Sequence, residues 1–380
     1  MSCCLSVGLR STWLVERRTC IYVRTFGYHH VEPKRIPHPL GPGHLWRKCY
    51  FVHPSTQIPQ AEQKSLWLTN SALQDGLPAL YSNSVNIPYD DVRKSVKEAI
   101  DQNVVYQRNT SLTVRQKLLR DEISTGLVPA VMNAIYSHSD SSLPLWCHVT
   151  HRPEIETYWK KGGNNFLLQG SPDYLIRTSL PLPVFMPVCD IRPLPDNRPT
   201  YRPVNLQLFQ RSFDTIDIFG GFRLGSKRPY PHTQIIIDMR SLNSRDQMVA
   251  HAARAQFGLT AAHAITVQLY EQQGSYPIKM PEILDVPITT QCVITNGHMF
   301  AFACYQLNGL DLDQHDVPNL LWVRGPFSLY ESLDVDEGAI GVNDDCVQLL
   351  TSFLLNPLVE YNCRQLDSGS DQEVVPLSEN

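Results

Sequence analysis

The sequence lacks three features that would narrow its function at once. It has no run of 18 apolar residues, which argues against a transmembrane helix. Its ten cysteines include no C-x-x-C pair, which excludes zinc-ribbon and thioredoxin-like motifs. The net charge of −4 excludes a general polyanion binder, because such binding needs an excess of lysine and arginine.

The charge that is present is unevenly distributed. Residues 1–60 hold eight Lys or Arg and two acids, whereas the segment from Glu331 onward holds eleven acids and one base. Local basic clusters are therefore candidates for phosphate contact, with a solvated surface as the alternative. The residues concerned are Lys34, Arg35, Arg47, Lys48, Arg223, Lys227 and Arg228.

The first 25 residues have the composition of a mitochondrial transit peptide. They are rich in Arg and Ser and contain one acid, Glu16, which interrupts any apolar centre of a secretory signal. A disordered basic tail is the alternative. Residues 26–60 predict an extended basic arm, because four prolines lie between residues 33 and 42 without an apolar repeat. The histidines of this arm match no metal-ligand spacing, so we expect no metal there.

The remaining chain predicts an α+β protein. Residues 61–143 predict a mainly helical region, including a helix from residue 61 that ends at Gly76. Residues 144–363 predict an α+β domain with a proline-rich connection at 181–203, and residues 364–380 predict an acidic, disordered tail. Within the domain, a capping-box signature at Ser244 and Gln247 starts a long alanine-rich helix. We expect a mixed sheet with a central hairpin and packed helices, preceded by the helical region and the arm.

The stretch VITNGHMFAFACYQL, residues 293–307, is the strongest hairpin signal. Asn296-Gly297 predicts a two-residue type I′ turn, which places Thr289 opposite Cys304. Both faces of the second strand are largely apolar, so the strand is expected to be central and covered on both sides. In this register His298 lies about 20 Å from Cys304, which excludes a catalytic Cys–His pair within the hairpin. We therefore expect Cys304 to pack as a small hydrophobic residue.

Two other motifs resemble functional loops and fail on spacing. GGFRLGSK has Ser226 where a phosphate loop needs lysine, so Lys227 falls one residue late. DLDQHD, starting at Asp311, lacks the Gly and Glu that an EF-hand needs at its sixth and twelfth positions. The residues thus indicate no catalytic, cofactor-binding or metal site, and no small-molecule substrate.

Several segments resemble a known family. KCYFVH, EQKSLWLTNSALQDGLP, KRPYPHTQIIID and VITNGHMFAFACYQLNGLDLD are similar to a paralogue family of mitochondrial large-subunit ribosomal proteins. Its two branches are protein thirty-seven and protein thirty, the latter also called programmed cell death protein nine. The LWLT…GLP block and YPHT resemble the first branch, and NDDCVQLLTSFLLN resembles the second. The resemblance runs patchily from about residue 45 to residue 358.

The resemblance implies a non-enzymatic structural constituent of the mitochondrial ribosome in the matrix. It implies other mitochondrial ribosomal proteins as partners, above all the paralogue protein thirty, and large-subunit rRNA. We expect rRNA contact through the basic arm and the patch from Arg223 to Arg228. The competing hypothesis is a mitochondrial matrix enzyme that depends on a thiol such as Cys304.

Overall fold

The computed structural model describes residues 47–82, 89–108, 115–139, 147–195, 197–213, 218–222, 226–271, 283–334 and 336–355. The predicted transit peptide, the part of the arm before residue 47 and the acidic tail lie outside the described residues.

The secondary structure starts with strands and helices in alternation. The first half comprises β1 (Arg47–Val52), α1 (Ala61–Leu68), β2 (Ser71–Gln74), α2 (Tyr89–Arg108), α3 (Arg115–Glu122), a π turn (Ile123–Leu127), α4 (Val128–Tyr136), β3 (Cys147–His151), β4 (Ile155–Lys161), β5 (Asn164–Gly170) and β6 (Tyr174–Thr178). The second half comprises β7 (Gln210–Phe213), β8 (Phe219–Gly220), β9 (Tyr230–Ile237), α5 (Arg245–Glu271), β10 (Ile288–Thr295), β11 (Met299–Leu307), β12 (Asn319–Ser328), β13 (Ser332–Asp334), β14 (Gly338–Ile340) and a helix over 344–355, here α6.

The strands form two mixed sheets and a small hairpin. One sheet has the order β7-β1-β5-β4-β8, and the other has the order β2-β12-β11-β10-β9-β6-β3. The β10–β11 hairpin lies in the middle of the larger sheet, as the sequence predicted. Strands β9 and β10 run parallel, joined by α5 as the crossover helix. The predicted α+β class with a central hairpin is therefore confirmed.

Helix α5 is the layer between the two sheets. One apolar cluster joins Phe166 and Leu168 of the smaller sheet to Phe257 of α5, and α5 to Ala301 and Ala303 of the larger sheet. Because both sides of α5 face a sheet, nearly its whole length from Met248 to Thr266 is buried. Its many alanines allow the close approach that this sandwiched position requires.

The opposite face of the larger sheet carries the remaining helices. Phe302 and Cys304 of β11 share a cluster with Ile100 of α2, Ile135 of α4 and Phe353 of α6. The order of layers is therefore small sheet, α5, large sheet, helices. Among the described helices, none has the combination of length and hydrophobicity needed to cross a bilayer.

Two predicted segments differ from the structure. The helix expected to run to Gly76 ends at Leu68, because Asn70 adopts a left-handed conformation with φ 49°. Residues 71–74 then pair in parallel with β12, and Asn319 fixes the join by donating to the carbonyls of Thr69 and Asn70. The predicted arm also ends early, since Arg47–Val52 is an interior strand between β5 and β7.

The predicted capping box at the start of α5 is wrong. Gln247 donates its side-chain amide to the carbonyl of Ile58, away from Ser244. Asp246 instead caps the neighbouring α1, accepting from the backbone N–H of Ala61 and Glu62 at 3.0 and 2.9 Å. The first turn of α5 thus satisfies donors at the start of α1, where a carboxylate is also favoured by the helix dipole.

The predicted two-residue turn of the central hairpin is also wrong, although the assigned faces are right. Thr295 pairs with Phe300, so four residues lie between the last paired positions and Cys304 lies opposite Gln291. Asn296 causes the change, because its side chain accepts from the N–H groups of His298 and Met299 at 3.1 and 2.7 Å. The register shift is two residues, and side chains alternate with a period of two, so every residue keeps its predicted face.

Candidate nucleic-acid interface

The structure places the predicted basic residues in two separate regions. Lys34, Arg35 and Arg223 lie outside the described residues, and for Arg47 the backbone alone is described. Lys48 belongs to the smaller sheet. Lys227 and Arg228 precede β9 of the larger sheet. The described residues therefore give two local surfaces rather than one basic face.

The first surface is the β1–β7 edge of the smaller sheet. Lys48 is exposed on β1 and pairs with Ser212 of β7, the outermost strand. Arg211 is exposed on β7, and its guanidinium lies 4.8 Å from the ring centre of Phe51. Arg211 pairs with Cys49 and Lys48 pairs with Ser212, so the two cations lie on opposite faces of this edge. Each cation can meet a phosphate backbone only on its own face.

The second surface, here called the β3-edge patch, consists of His148, Arg177, Lys227 and Arg228. Strand β3 is the outermost strand of the larger sheet, and His148 is exposed on it. Lys227 is exposed and Arg228 is half-buried, with its backbone N–H donating to Ser226 Oγ at 3.2 Å. Burial lowers the pKa of His148, and the positive charges of Arg177 and Arg228 lower it further. The positive charges of two arginines therefore act on His148.

Sequence reasoning missed Arg177 and Arg211. Arg177 lies alone in the apolar stretch DYLIRTSL, so no run of basic residues marked it. It joins the β3-edge patch because β6 pairs with β3 in the register His148 to Arg177. Arg211 comes to the same sheet edge as Lys48, on the opposite face, because β7 pairs with β1 across about 160 residues of sequence. Both juxtapositions are products of long-range strand pairing.

The thiols of the described core are poor nucleophiles. Cys304 is fully buried, and burial raises the pKa of its thiol well above the usual value. Burial also raises the pKa of Cys292 and of Cys346 to about 12. A thiol that stays protonated and shielded cannot act as a nucleophile, so the prediction that Cys304 packs as a hydrophobic residue is confirmed.

One cavity of about 330 Å³ lies where the two sheets meet α5. His251 and Asp238 line it, with His251 Nδ1 2.7 Å from Asp238 Oδ2. Burial would raise the pKa of Asp238, but bonds from His251 and the N–H groups of Arg240 and Ser241 outweigh it and hold the pKa below the usual range. Among the described residues no hydroxyl or thiol bonds to His251, so the pair lacks the nucleophile that a hydrolase-type triad requires.

The described part of the chain contains no group of three or more His, Cys, Asp or Glu side chains arranged to hold a metal ion. The DLDQHD segment forms a turn, in which Asp311 Oδ1 accepts from the N–H of Asp313. Asp313 in turn accepts from the N–H of Gly162 at 2.9 Å, which ties this turn to the β4–β5 hairpin. Its carboxylates thus serve the packing of loops.

Comparison with protein families gives one match over about half of the chain. Residues 164–357 match the family described as mitochondrial 28S ribosomal protein S30 (PDCD9). The matched segment runs from β5 through α6 and includes α5 and the central hairpin. It therefore covers the sandwich of sheets and helix that forms the core.

Individual relatives extend the similarity towards the N-terminus. Large ribosomal subunit protein mL37 of Bos taurus is 24% identical over 319 residues, which cover 80% of this chain and 72% of that protein. The mL37 protein of Gallus gallus is 24% identical over 304 residues, covering 75% of this chain and 66% of that protein. The mL37 protein of Rattus norvegicus is 22% identical over 293 residues, covering 74% and 66%. The chain thus spans about two thirds to three quarters of the length of these relatives.

Proposed function

Because this chain belongs to the mitochondrial 28S ribosomal protein S30 (PDCD9) family, we propose that it is a structural constituent of the mitochondrial ribosome that supports mitochondrial translation. The family match over residues 164–357 carries the proposal. The buried, protonated thiols agree with it, since they disfavour the thiol-dependent enzyme that was the competing hypothesis.

The chain is assigned to the large subunit. The family description contains the small-subunit term 28S, whereas the relatives from three animals are named large-subunit proteins. We give the relatives more weight, because their alignments cover 74–80% of this chain and the family match covers about half.

The location and partners follow from this assignment. A large-subunit protein of this family resides in the mitochondrion, and the matrix is where an assembled ribosome would hold it. Its partners are other mitochondrial ribosomal proteins and large-subunit rRNA. We include the paralogue protein thirty among them on the basis of the segments that resemble both branches. An acidic chain of net charge −4 fits a position made mainly of protein–protein contacts.

The rRNA contacts are assigned to Lys34, Arg35, Arg47, Lys48, Arg223, Lys227 and Arg228. Lys48 and Lys227 support this assignment because both are exposed and each is adjacent in sequence to a further basic residue, Arg47 and Arg228 respectively. The net negative charge makes such contact local, so a few basic side chains carry most of the electrostatic attraction to phosphate.

Charge reversal tests the rRNA assignment. We expect Arg223→Glu, Lys227→Glu and Arg228→Glu together to reduce incorporation of the full chain into large subunits in cells. The matched control is Lys94→Glu, Arg245→Glu and Arg324→Glu, which changes the net charge equally at exposed positions elsewhere. Equal incorporation of the two triple variants would contradict the assignment, and the readout is quantitative mass spectrometry of gradient-purified subunits.

A further inference from the structure

Arg177 is a buried cation with too few partners. Its residue is 7% exposed, and its Nε and Nη1 atoms are buried with no hydrogen-bond acceptor. Its remaining nitrogen, Nη2, contacts His148 Nδ1 and Thr150 Oγ1, both at 3.3 Å. Charge-assisted bonds are usually 2.7–2.9 Å long, so these contacts to neutral groups are weak.

The other deeply buried arginine of the described chain is compensated. Arg254 donates to the carbonyls of Pro54 and Thr56 at 3.0 and 2.7 Å, and the charges of Asp238 and Asp246 favour its cationic form. Burial lowers the pKa of both arginines to about 10, but no described carboxylate counteracts this effect at Arg177. A buried charge without a counterion is costly, so a missing anion is the simplest way to complete this site.

The guanidinium of Arg177 is separated from the surface by one side chain. Its guanidinium lies next to His148, which is exposed on the outermost strand of the larger sheet. Arg228 lies close enough to lower the pKa of both His148 and Cys147. The surroundings of His148 are thus basic, and its Nδ1 accepts from the guanidinium of Arg177.

We propose that Arg177, together with His148 and Arg228, binds a phosphate group at the β3 edge. A guanidinium presents paired N–H donors that match two phosphate oxygens, and a phosphate would replace the two long contacts with charge-assisted bonds. The phosphate has two candidate sources, an RNA backbone or free phosphate. That the phosphate belongs to RNA rests on the proposed function, whereas the binding of a phosphate group as such does not.

The stability of Arg177→Met separates this proposal from a purely structural role. If Arg177 awaits an anion, methionine removes an uncompensated buried charge and keeps most of the volume. We then expect the melting temperature of the purified full chain to rise by about 1–4 °C in phosphate-free buffer. Arg254→Met is the matched control, and it should lower the melting temperature because the carbonyls of Pro54 and Thr56 lose their donor.

Binding of two probes identifies the source of the phosphate. A short single-stranded RNA and inorganic phosphate are titrated separately into the wild-type chain, Arg177→Met and Arg228→Ala. For RNA we expect each variant to weaken binding about tenfold and to reduce the salt dependence of the affinity by about one phosphate contact. Arg324→Met, which removes an exposed arginine elsewhere, should change neither quantity appreciably. Binding of inorganic phosphate without binding of RNA would assign the site to a free phosphate.

Three outcomes would overturn the proposal. The first is a wild-type chain that binds neither probe. The second is an Arg177→Met variant that is destabilised or does not fold, because the proposal requires it to be more stable. The third is unchanged affinity for the bound probe in both Arg177→Met and Arg228→Ala. None of these outcomes bears on whether the chain co-purifies with large subunits, so failure here is distinguishable from failure of the proposed function.

Discussion

Asp173 joins four parts of the structure, and its removal should destabilise the fold measurably. Its side chain is fully buried and accepts from Arg120 of α3 at 3.1 and 3.2 Å. It also accepts from the backbone N–H of Ile237, at the end of β9, at 2.8 Å. Arg152, in the turn between β3 and β4, lies 3.5 Å away. One carboxylate therefore links the helical layer to the larger sheet.

The size of the loss in the free energy of unfolding follows from which polar groups remain buried without a partner after Asp173→Ala. The N–H of Ile237 loses its acceptor inside the core, which costs about 1–3 kcal/mol. The side chains of Arg120 and Arg152 are 42% and 36% exposed, so water compensates them and each adds less than about 1 kcal/mol. The expected loss is about 2–4 kcal/mol in the free energy of unfolding. Asp173→Asn keeps one acceptor for Ile237 and should cost less.

Urea denaturation of the purified chain, followed by tryptophan fluorescence, measures this loss. The matched control is Arg93→Ala, which breaks the exposed pair between Arg93 and Asp344 and should cost less than about 1 kcal/mol. A loss below about 0.5 kcal/mol for Asp173→Ala, or one equal to that of Arg93→Ala, would refute the role assigned to the buried carboxylate.

Three further predictions concern the thiols, acid stability and the packing of α5. Native labelling with N-ethylmaleimide should modify exposed Cys189 rapidly and Cys304 only after unfolding; rapid native labelling of Cys304 would contradict its burial. Burial lowers the pKa of His263 from 6.5 to about 4 in the folded chain. As the pH falls from 6.5 to 4, the unfolded chain therefore binds a proton that the folded chain does not, and the free energy of unfolding should decrease. His263→Phe should make this fall shallower, and an unchanged pH profile of unfolding would count against the assignment. A Cβ on Gly258 would lie 2.5 Å from Leu168 Cδ2, so Gly258→Ala should lose about 1 kcal/mol despite its better helix propensity. The loss should vanish in a Leu168→Ala background, and its persistence there in urea melts would exclude this contact as the cause.

Local patterns in the sequence predict much of the core because they depend only on neighbouring residues. The two faces of β11 follow from alternation, and they are correct although the turn was two residues too short. Asn343 stands directly before an apolar helical repeat, where asparagine favours an N-cap, and its side chain accepts from the N–H of Cys346 at 3.1 Å. A glycine inside an otherwise regular helical repeat, as at Gly258, indicates a close approach, and the contact with Leu168 supplies the reason.

Features that depend on distant partners were not predictable in the same way. Residues 71–74 have the composition of a helix end, yet they form a strand because β12 offers an edge about 250 residues later in the chain. The same limit applies to the candidate site. Arg177 becomes part of a basic patch only through the pairing of β6 with β3, which no local sequence pattern indicates.

The central claim is that this chain is a structural constituent of the large subunit of the mitochondrial ribosome. Sedimentation of mitochondrial lysate tests this claim most directly. Gradient fractions would be analysed for the endogenous chain and for large-subunit rRNA, with a free matrix enzyme as the marker of unassembled protein. We expect the chain to co-migrate with the large subunit at about one copy per rRNA, and to remain with it at physiological salt. A chain that stays with the free enzyme near the top of the gradient would contradict the claim.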